Sequence, residues 1–404
     1  MVNFVFLSVY FYSVPNLRFS YKGDWSKRKL NEICLFFKGN GLSKSDLSNE
    51  GFPCILYGEL YTTYKNEVIS DIISKTNTTL SNPFLSRNND LIIPGSGEDP
   101  IDIAVARAIY QNDIILGGDL NILRPKSNVS AAFLSYQLNG VRRYDIAKKA
   151  QGKSIVHLHN SDLKEVLVSI PSYDEQLHIV KLLTKIDEMI ETQIKIINAL
   201  DSQRKCIFLK VHRAQSLKKI KIFELGRMIA ANNLSKDELS IKGNECILYG
   251  ELFTKYNLYI DNVISKTEKI DNAIISSGND ILFPTSTTVD AFSLIKPSAL
   301  IKKGVILGGD MFSIKLKDDY NPIYISCLIN FIYRKKFASK TQGSTIIHLH
   351  YRDIKNEVIE ICDYEIQCKI ANLIESITEK LKVEEELLNL LYIQKSYLLQ
   401  NMFI

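Results

Sequence analysis

The stretch Cys54-Ile55-Leu56-Tyr57-Gly58-Glu59-Leu60 occurs a second time, letter for letter, as Cys246-Ile247-Leu248-Tyr249-Gly250-Glu251-Leu252. It belongs to an ordered series. Ile72-Ile73-Ser74-Lys75-Thr76 returns as Val263-Ile264-Ser265-Lys266-Thr267, and Asp90-Leu91-Ile92-Ile93-Pro94 as Asp280-Ile281-Leu282-Phe283-Pro284. Ile115-Leu116-Gly117-Gly118-Asp119 is repeated from Ile306 to Asp310. Gln151-Gly152 through His157-Leu158-His159 is matched by Gln342-Gly343 through His348-Leu349-His350. All five pairs keep their order at a spacing of about 190 residues, far too long for a solenoid repeat and right for a duplicated domain. Two versions of one domain point to two versions of one ligand.

Around this duplication the composition is ordinary for a globular chain. The 404 residues suffice for two or three domains with separate cores. Fifty basic residues stand against 45 acidic ones, which permits a nucleic-acid partner without requiring one. Seven scattered cysteines without a CxxC pair argue against a disulfide framework and a zinc site, and so for a reducing, cytoplasmic setting. The apolar opening, residues 2–14, lacks the basic start and small-residue cleavage site of a signal peptide and is too short to span a bilayer. It reads as part of an N-terminal extension, 1–22, with no membrane role.

Each repeat has the same internal order. A segment rich in β-branched and aromatic residues comes first, with strand-like runs such as Cys54–Tyr57, Leu91–Ile93 and Ile281–Phe283 between Gly, Pro, Asn and Asp clusters. This predicts α+β domains over 23–160 and 214–350. Junctions at Ile170-Pro171-Ser172-Tyr173 and Ile361-Cys362-Asp363-Tyr364 then lead into 40-residue runs free of proline and glycine, 174–213 and 365–404. Junction and helix together occupy 161–213 and 351–404.

These runs carry a seven-residue apolar repeat. Leu183, Ile190, Ile197, Arg204 and Val211 fall at a positions, with Ile186, Gln193, Leu200 and Ile207 at d. In the second run Ile374, Leu381, Leu388, Lys395 and Met402 fall at a, with Ile377, Glu384, Leu391 and Leu398 at d. More than four heptads per helix predict a coiled coil, and polar residues at core positions fix its register. Pairing of the two runs is expected to set Gln193 and Arg204 against Glu384 and Lys395.

The ordered set resembles the specificity subunit of a type I restriction-modification system. Val14-Pro15-Asn16-Leu17-Arg18-Phe19 and Trp25-Ser26-Lys27-Arg28-Lys29-Leu30 look like the lead-in to a first recognition domain. Ile170-Pro171 to Glu175-Gln176, with Ile179 and Ile186-Asp187, looks like the start of a first spacer helix, and Ser396-Tyr397-Leu398-Leu399-Gln400-Asn401-Met402-Phe403 like the family's ending. The second helix departs from the pattern, since Tyr364-Glu365-Ile366-Gln367 lacks the proline and the adjacent acid. The resemblance implies two α/β target-recognition domains separated by two long helices that pair as an antiparallel coiled coil. It implies binding of double-stranded DNA at a bipartite asymmetric site, two methyltransferase subunits docked on the helices, and motor-nuclease subunits joining for restriction. It also implies a subunit with no catalysis of its own.

The residues agree with that last point. An adenine methyltransferase needs an (N/D/S)-P-P-(Y/F/W) motif; the nearest stretch, Asn82-Pro83-Phe84, lacks the second proline. No GxxxxGK[ST] loop is present, and Gly39-Asn40-Gly41-Leu42-Ser43-Lys44 has neither its spacing nor its Lys-Ser pair. No pattern calls for a cofactor or a metal: the His-x-His pairs set His157 with His159, and His348 with His350, on one strand face without a third ligand cluster. These pairs are read either as packing near the junction or as phosphate or base contacts. Gln151-Gly152-Lys153-Ser154 is a candidate phosphate loop, and its repeat keeps hydroxyls in Ser344 and Thr345 but loses the lysine.

Segments that differ between matching flanks are candidates for base readout. After Pro94 the first repeat runs Gly-Ser-Gly-Glu-Asp-Pro-Ile-Asp, 95–102; after Pro284 the second runs Thr-Ser-Thr-Thr-Val-Asp-Ala-Phe, 285–292. Ser96 aligns with Ser286, and Glu98 and Asp99 face Thr288 and Val289, so carboxylates able to accept from cytosine N4 meet hydroxyl and apolar groups suited to adenine or the thymine methyl. Thr287 and Asp290 complete the candidate set, and a variable surface loop is the alternative. Competing functions are a self-contained DNA methyltransferase or nuclease, and a coiled-coil scaffold with no DNA role.

Overall fold

The computed structural model describes residues 14–231, 234–269 and 273–404, so the apolar segment before Val14 lies outside the described residues. The chain divides into two compact units, Met1–Lys195 with Glu386–Ile404, and Ile196–Glu385. The division cuts both long helices, Tyr173–Arg213 of 41 residues and Tyr364–Asn401 of 38, so each unit holds part of each.

In unit 1 a five-stranded sheet runs in the order 34–38, 120–125, 90–94, 107–109, 68–69. Its central strand Asp90–Pro94 is buried at every position, as an apolar run covered on both faces must be. Unit 2 repeats the order with 226–230, 311–316, 280–284, 298–300 and 259–260, again with a fully buried centre, Asp280–Pro284. Most pairings are antiparallel, but 68–69 beside 107–109 and 259–260 beside 298–300 are parallel, which makes each domain α+β.

The identical heptapeptide is scaffold. In unit 1 the Glu59 carboxylate accepts from the Leu56 amide and the Ser74 hydroxyl; in unit 2 Glu251 accepts from Leu248 and Ser265 and pairs with Lys255. A carboxylate that ties the end of one strand to another cannot change without leaving buried donors unsatisfied. Asn82-Pro83-Phe84 and the 39–44 loop are bound to one another: Asn40 Nδ2 donates to the Asn82 carbonyl at 2.9 Å, and its Oδ1 accepts from the Phe84 amide at 3.0 Å.

Each helix start is held by the same glutamine. Gln176 Oε1 accepts from the Ser130 amide at 2.9 Å and its Nε2 donates to the Pro171 carbonyl; Gln367 does the same for Asn321 and Cys362. Its neighbours differ. Glu175 is gripped by both arms of the Arg18 guanidinium at 2.6 and 2.8 Å and by Trp25 Nε1, whereas Ile366 packs on the unit 2 core. The side chain that unit 1 keeps as an ion pair is apolar in unit 2, which is why the second helix start departs from the sequence pattern.

The helices pair antiparallel as a coiled coil. In unit 1 Leu183, Ile186 and Ile190 share a core with Leu388, Leu391, Leu398 and Met402; in unit 2 Phe208 and Val211 pack with Ile370, Ala371 and Ile374. The a and d positions at Ile197, Leu200, Ile207 and Ile377 are half-buried, and Leu381 is buried. Two of the polar positions, Lys395 and Arg204, meet other partners than the spacing suggested. Lys395 bridges Asp187 and Glu67, each at 2.6 Å, while Arg204 donates to Thr378 Oγ1 at 3.0 Å and pairs with Asp201. Asp187 and Thr378 flank the seam rather than occupying a or d, and both are buried because the helix interface is wider than the two-residue stripe.

Candidate nucleic-acid interface

In unit 1 the two segments chosen from the sequence lie side by side. Ser96–Gly97 pairs antiparallel with Val156–His157, with Ser96 opposite His157; in unit 2 Ser286–Thr287 pairs with Ile347–His348, with Ser286 opposite His348. A hairpin supports each second strand: Gln151 and His157 exchange backbone bonds of 2.9 and 2.7 Å, and Gln342 and His348 do so at the same distances. Its turn demands glycine. Gly152 and Gly343 have φ of +130° and +105°, and a Cβ on either would stand 2.0 Å from the carbonyl oxygen of Ile155 or Ile346.

This platform holds the histidines outward. His157 and His159 are both exposed, ring centroids 6.0 Å apart and planes within 2°; His348 and His350 repeat the arrangement at 6.2 Å and 2°. Lys153, Ser154 and Ile155 are exposed on the first hairpin, and Ser344, Thr345 and Ile346 on the second. Each hairpin tip thus combines hydroxyl donors with an exposed isoleucine. Among the described residues no group of three His, Cys, Asp or Glu could hold a metal ion.

The facing loop sorts into support and exposed groups. Ser96 and Ser286 are buried, and their hydroxyls donate to Asp119 Oδ2 and Asp310 Oδ2 at 3.0 and 3.1 Å. Asp99 caps the short helix Pro100–Ile103, accepting from the Ile101 amide at 2.7 Å. Asp290 caps Ala291–Leu294 in the same way, accepting from the Ser293 amide and hydroxyl, and those bonds hold its pKa below the usual carboxylate range. The shared role corrects the alignment: Asp99 corresponds to Asp290 rather than Val289, and unit 2 carries one extra residue between serine and cap. Thr287 is half-buried and accepts from the Val289 amide. What remains outward is Glu98 in unit 1, against Thr288 and Val289 in unit 2. Burial, then Tyr57, Glu98 and Asp102, raise the pKa of Tyr61, whose counterpart is Phe253. The unit 1 loop therefore presents three exposed carboxylates, Glu98, Asp99 and Asp102, where the unit 2 loop presents Asp290 alone.

A basic helix completes each platform, and it escaped the sequence reading. Arg143 donates to the Ile101 carbonyl at 3.1 Å, and Arg334, exactly homologous in position, to the Phe292 carbonyl at 3.0 Å while stacking 4.1 Å over that ring. Tyr144 and Lys148 are exposed beside the first arginine, Lys335 and Lys336 beside the second. The signal was present: Arg143 and Arg334 stand at the repeat spacing, a few residues before each Gln-Gly. Exposed cations, imidazoles and hydroxyls around a loop of changing character are what phosphate positioning and base-edge readout require.

The family model for the type I restriction modification DNA specificity domain matches this chain twice, over residues 22–202 and 217–392. A Methanocaldococcus jannaschii protein named as the type I restriction enzyme MjaX specificity subunit is 25% identical over 223 residues, half of either chain. The match thus spans about half the length of that relative. The type I restriction-modification S subunit from M. genitalium has a similar fold, with a TM-score of 0.60 at 16% identity over 97% of this chain and 99% of that one. A structure described in work on complex assembly and conformational transition of the type I R-M system is similar at TM-score 0.56, with 12% identity over 94% and 97% of the two chains. With two copies of the domain covering most of its length, the chain belongs to the type I restriction-modification DNA specificity family.

Proposed function

We propose that the chain is the non-catalytic subunit that reads a bipartite, asymmetric DNA site for a type I complex. Target recognition is assigned to 23–160 and 214–350, one half-site each, and action to the cytoplasm, beside the DNA. The observation that carries this is the platform built twice, with the same strand pairing, glycine turn, cap and arginine, but with Glu98 exposed on one copy and Thr288 and Val289 on the other. Within the set, Lys153, Ser154, Ser344, Thr345, His157 and His348 supply donors, while Ser96, Ser286, Asp99 and Asp290 hold the loop in shape.

The long helices supply the docking sites for the methyltransferase subunits, which in turn recruit the motor-nuclease subunits. In unit 1 Leu387, Leu390 and Tyr397 are exposed on one helix, an apolar surface of the kind that marks a protein interface. Among the described residues no helix is long and apolar enough to cross a membrane.

The test is coexpression with the cognate methyltransferase and mapping of methylated adenines. Exchanging 95–102 for 285–292 is expected to alter one half of the methylated site and leave the other intact. An unchanged motif, or a change in both halves, would remove these loops as readers. The purified chain alone is expected to transfer no methyl group, and turnover without a partner would support the self-contained enzyme instead.

A further inference from the structure

Unit 2 contains a cavity of about 940 Å³ between the helix pair and the recognition domain, of which only Phe292 and Arg334 belong to the DNA-reading platform. Its lining includes six cations: Arg204, Lys205, Lys255, Lys296, Arg334 and Lys382. Three have carboxylate partners, Arg204 in Asp201, Lys255 in Glu251 and Lys382 in Asp261. Of the other three, Arg334 lies near the Asp290 carboxylate, and Lys205 and Lys296 have no carboxylate ion pair among the described residues. Lys296 donates only to the Phe253 carbonyl at 3.0 Å, Arg334 only to the Phe292 carbonyl, and Lys205 has no polar partner. Arg204 is buried, and its Nε also lacks a hydrogen-bond partner. Burial and the neighbouring Arg334 hold the pKa of Lys296 below the usual lysine value, a cost that a bound anion would offset.

The duplication supplies an internal control. At the repeat spacing Lys296 corresponds to Val105, Lys205 to Ser396, Lys382 to Glu191 and Lys255 to Thr63. Lys205, Lys255 and Lys382 thus have no cationic counterpart in unit 1, whereas the half-buried Lys296 is answered there by buried Arg107, which donates to the Leu60 carbonyl and lies near Arg143, the counterpart of Arg334. Tyr256, Tyr259, Phe292 and Phe331 give the same cavity aromatic walls.

We infer that this cavity binds a phosphate-bearing ligand through Lys205, Lys296, Arg334 and the free Nε of Arg204. The phosphate is either that of a soluble nucleotide or that of a nucleic-acid backbone. The cavity shares Phe292 and Arg334 with the unit 2 platform, while Lys205 and Lys296 lie outside it, so variants of the two lysines leave the methylated motif unchanged.

The experiment uses the full chain and a Lys296→Val, Lys205→Ser double variant, which installs the unit 1 residues; Lys205→Ser alone, at an exposed position, guards against misfolding. Calorimetric titration with ATP and with inorganic pyrophosphate tests the first source. Binding by the parent chain that weakens at least tenfold in the variant assigns a nucleotide. Binding of a target-free duplex at several salt concentrations tests the second. If neither small probe binds but the variant loses duplex affinity and its salt dependence falls by about 2, at ~0.9 per phosphate contact, the ligand is backbone. No binding of either small probe together with unchanged duplex affinity and salt slope overturns the inference.

Discussion

Lys395 in unit 1 and Arg204 in unit 2 occupy equivalent places in the duplicated helices, yet they are stabilised differently. Lys395 sits between two buried carboxylates, Asp187 and Glu67, with the Tyr136 hydroxyl also donating to Asp187 at 2.7 Å. Arg204 faces Thr378 and reaches Asp201, which is largely exposed at 61%. The counterparts of Glu67 and Tyr136 are Leu258 and Cys327. The cation survived duplication, while its surroundings were charged on one side and made nearly neutral on the other. A seam position can hold its charge class for register while the domain packed on it decides what neutralises that charge.

The largest effect expected from this contrast is in separated halves. A dimer of fragment 1–213 in the observed register would set Asp187 of one copy against Arg204 of the other, twice over. A dimer of 214–404 would set Lys395 against Thr378, with no carboxylate. Since an unpaired buried charge costs roughly 3–5 kcal/mol, sedimentation should find the first fragment dimeric at micromolar concentration and the second at least a hundredfold weaker. With the methyltransferase, the 1–213 dimer should modify a palindrome of its own half-site, because a two-fold protein matches two-fold DNA. Equal self-association of both fragments would break the comparison.

A smaller effect is expected in the intact chain. Lys395→Met strands Asp187 and Glu67 in the interior and should destabilise by about 3–5 kcal/mol. Arg204→Met leaves only Asp201, which water can solvate, and should cost about 1–2 kcal/mol. Thermal unfolding of the two variants checks the order, and a reversed order would show that Arg204 carries more than its visible contacts.

A third difference lies where the helix ends meet the domains. Unit 1 packs Phe133 against Phe403 at 5.3 Å, and unit 2 places Tyr324 and His212 there, with the hydroxyl 2.9 Å from Nδ1. Burial lowers the His212 pKa, opposed by Glu360 and aided by Arg213. A neutral histidine in the folded state means that the unfolded chain binds more protons in the window below the usual value of about 6.5. Stability should therefore be full above that pH and decline as pH falls through it. His212→Phe should flatten that decline, read from unfolding midpoints between pH 5 and 8. An identical decline in the variant would place the titration elsewhere.

The smallest test concerns the loops. If Asp99 and Asp290 are equivalent caps, replacing either by Ala should cost a similar ~0.5–2 kcal/mol. Loss at one position only would restore the alternative alignment.

Much of the scaffold was legible in the chain because duplication makes a sequence its own alignment. The two helices followed from their heptads, and the buried central strands from apolar runs that keep their flanks in both copies. The candidate readout segments stand out as differences between such flanks. Less could be seen of the divided roles within them. Nothing in the letters separates Asp99, whose carboxylate caps a helix, from Glu98 beside it, which points outward, because the division depends on which backbone amides the fold brings near. Arg143 and Arg334 were missed for a related reason: a basic pair in a helix acquires meaning only when a carbonyl from another segment fixes where it points.

By itself, the sequence determined that this protein is built twice, where its long helices run and which segments vary. Periodicity and repetition are local properties, and they need only the chain. Only the tertiary structure decided that Lys395 meets Asp187 and Glu67 and not the seam residues opposite, that the serine strand lies against the histidine strand, and that six cations line one cavity of unit 2. Those are contacts between residues far apart in the chain, selected by the burial of whole surfaces, and burial is a property of the assembled fold.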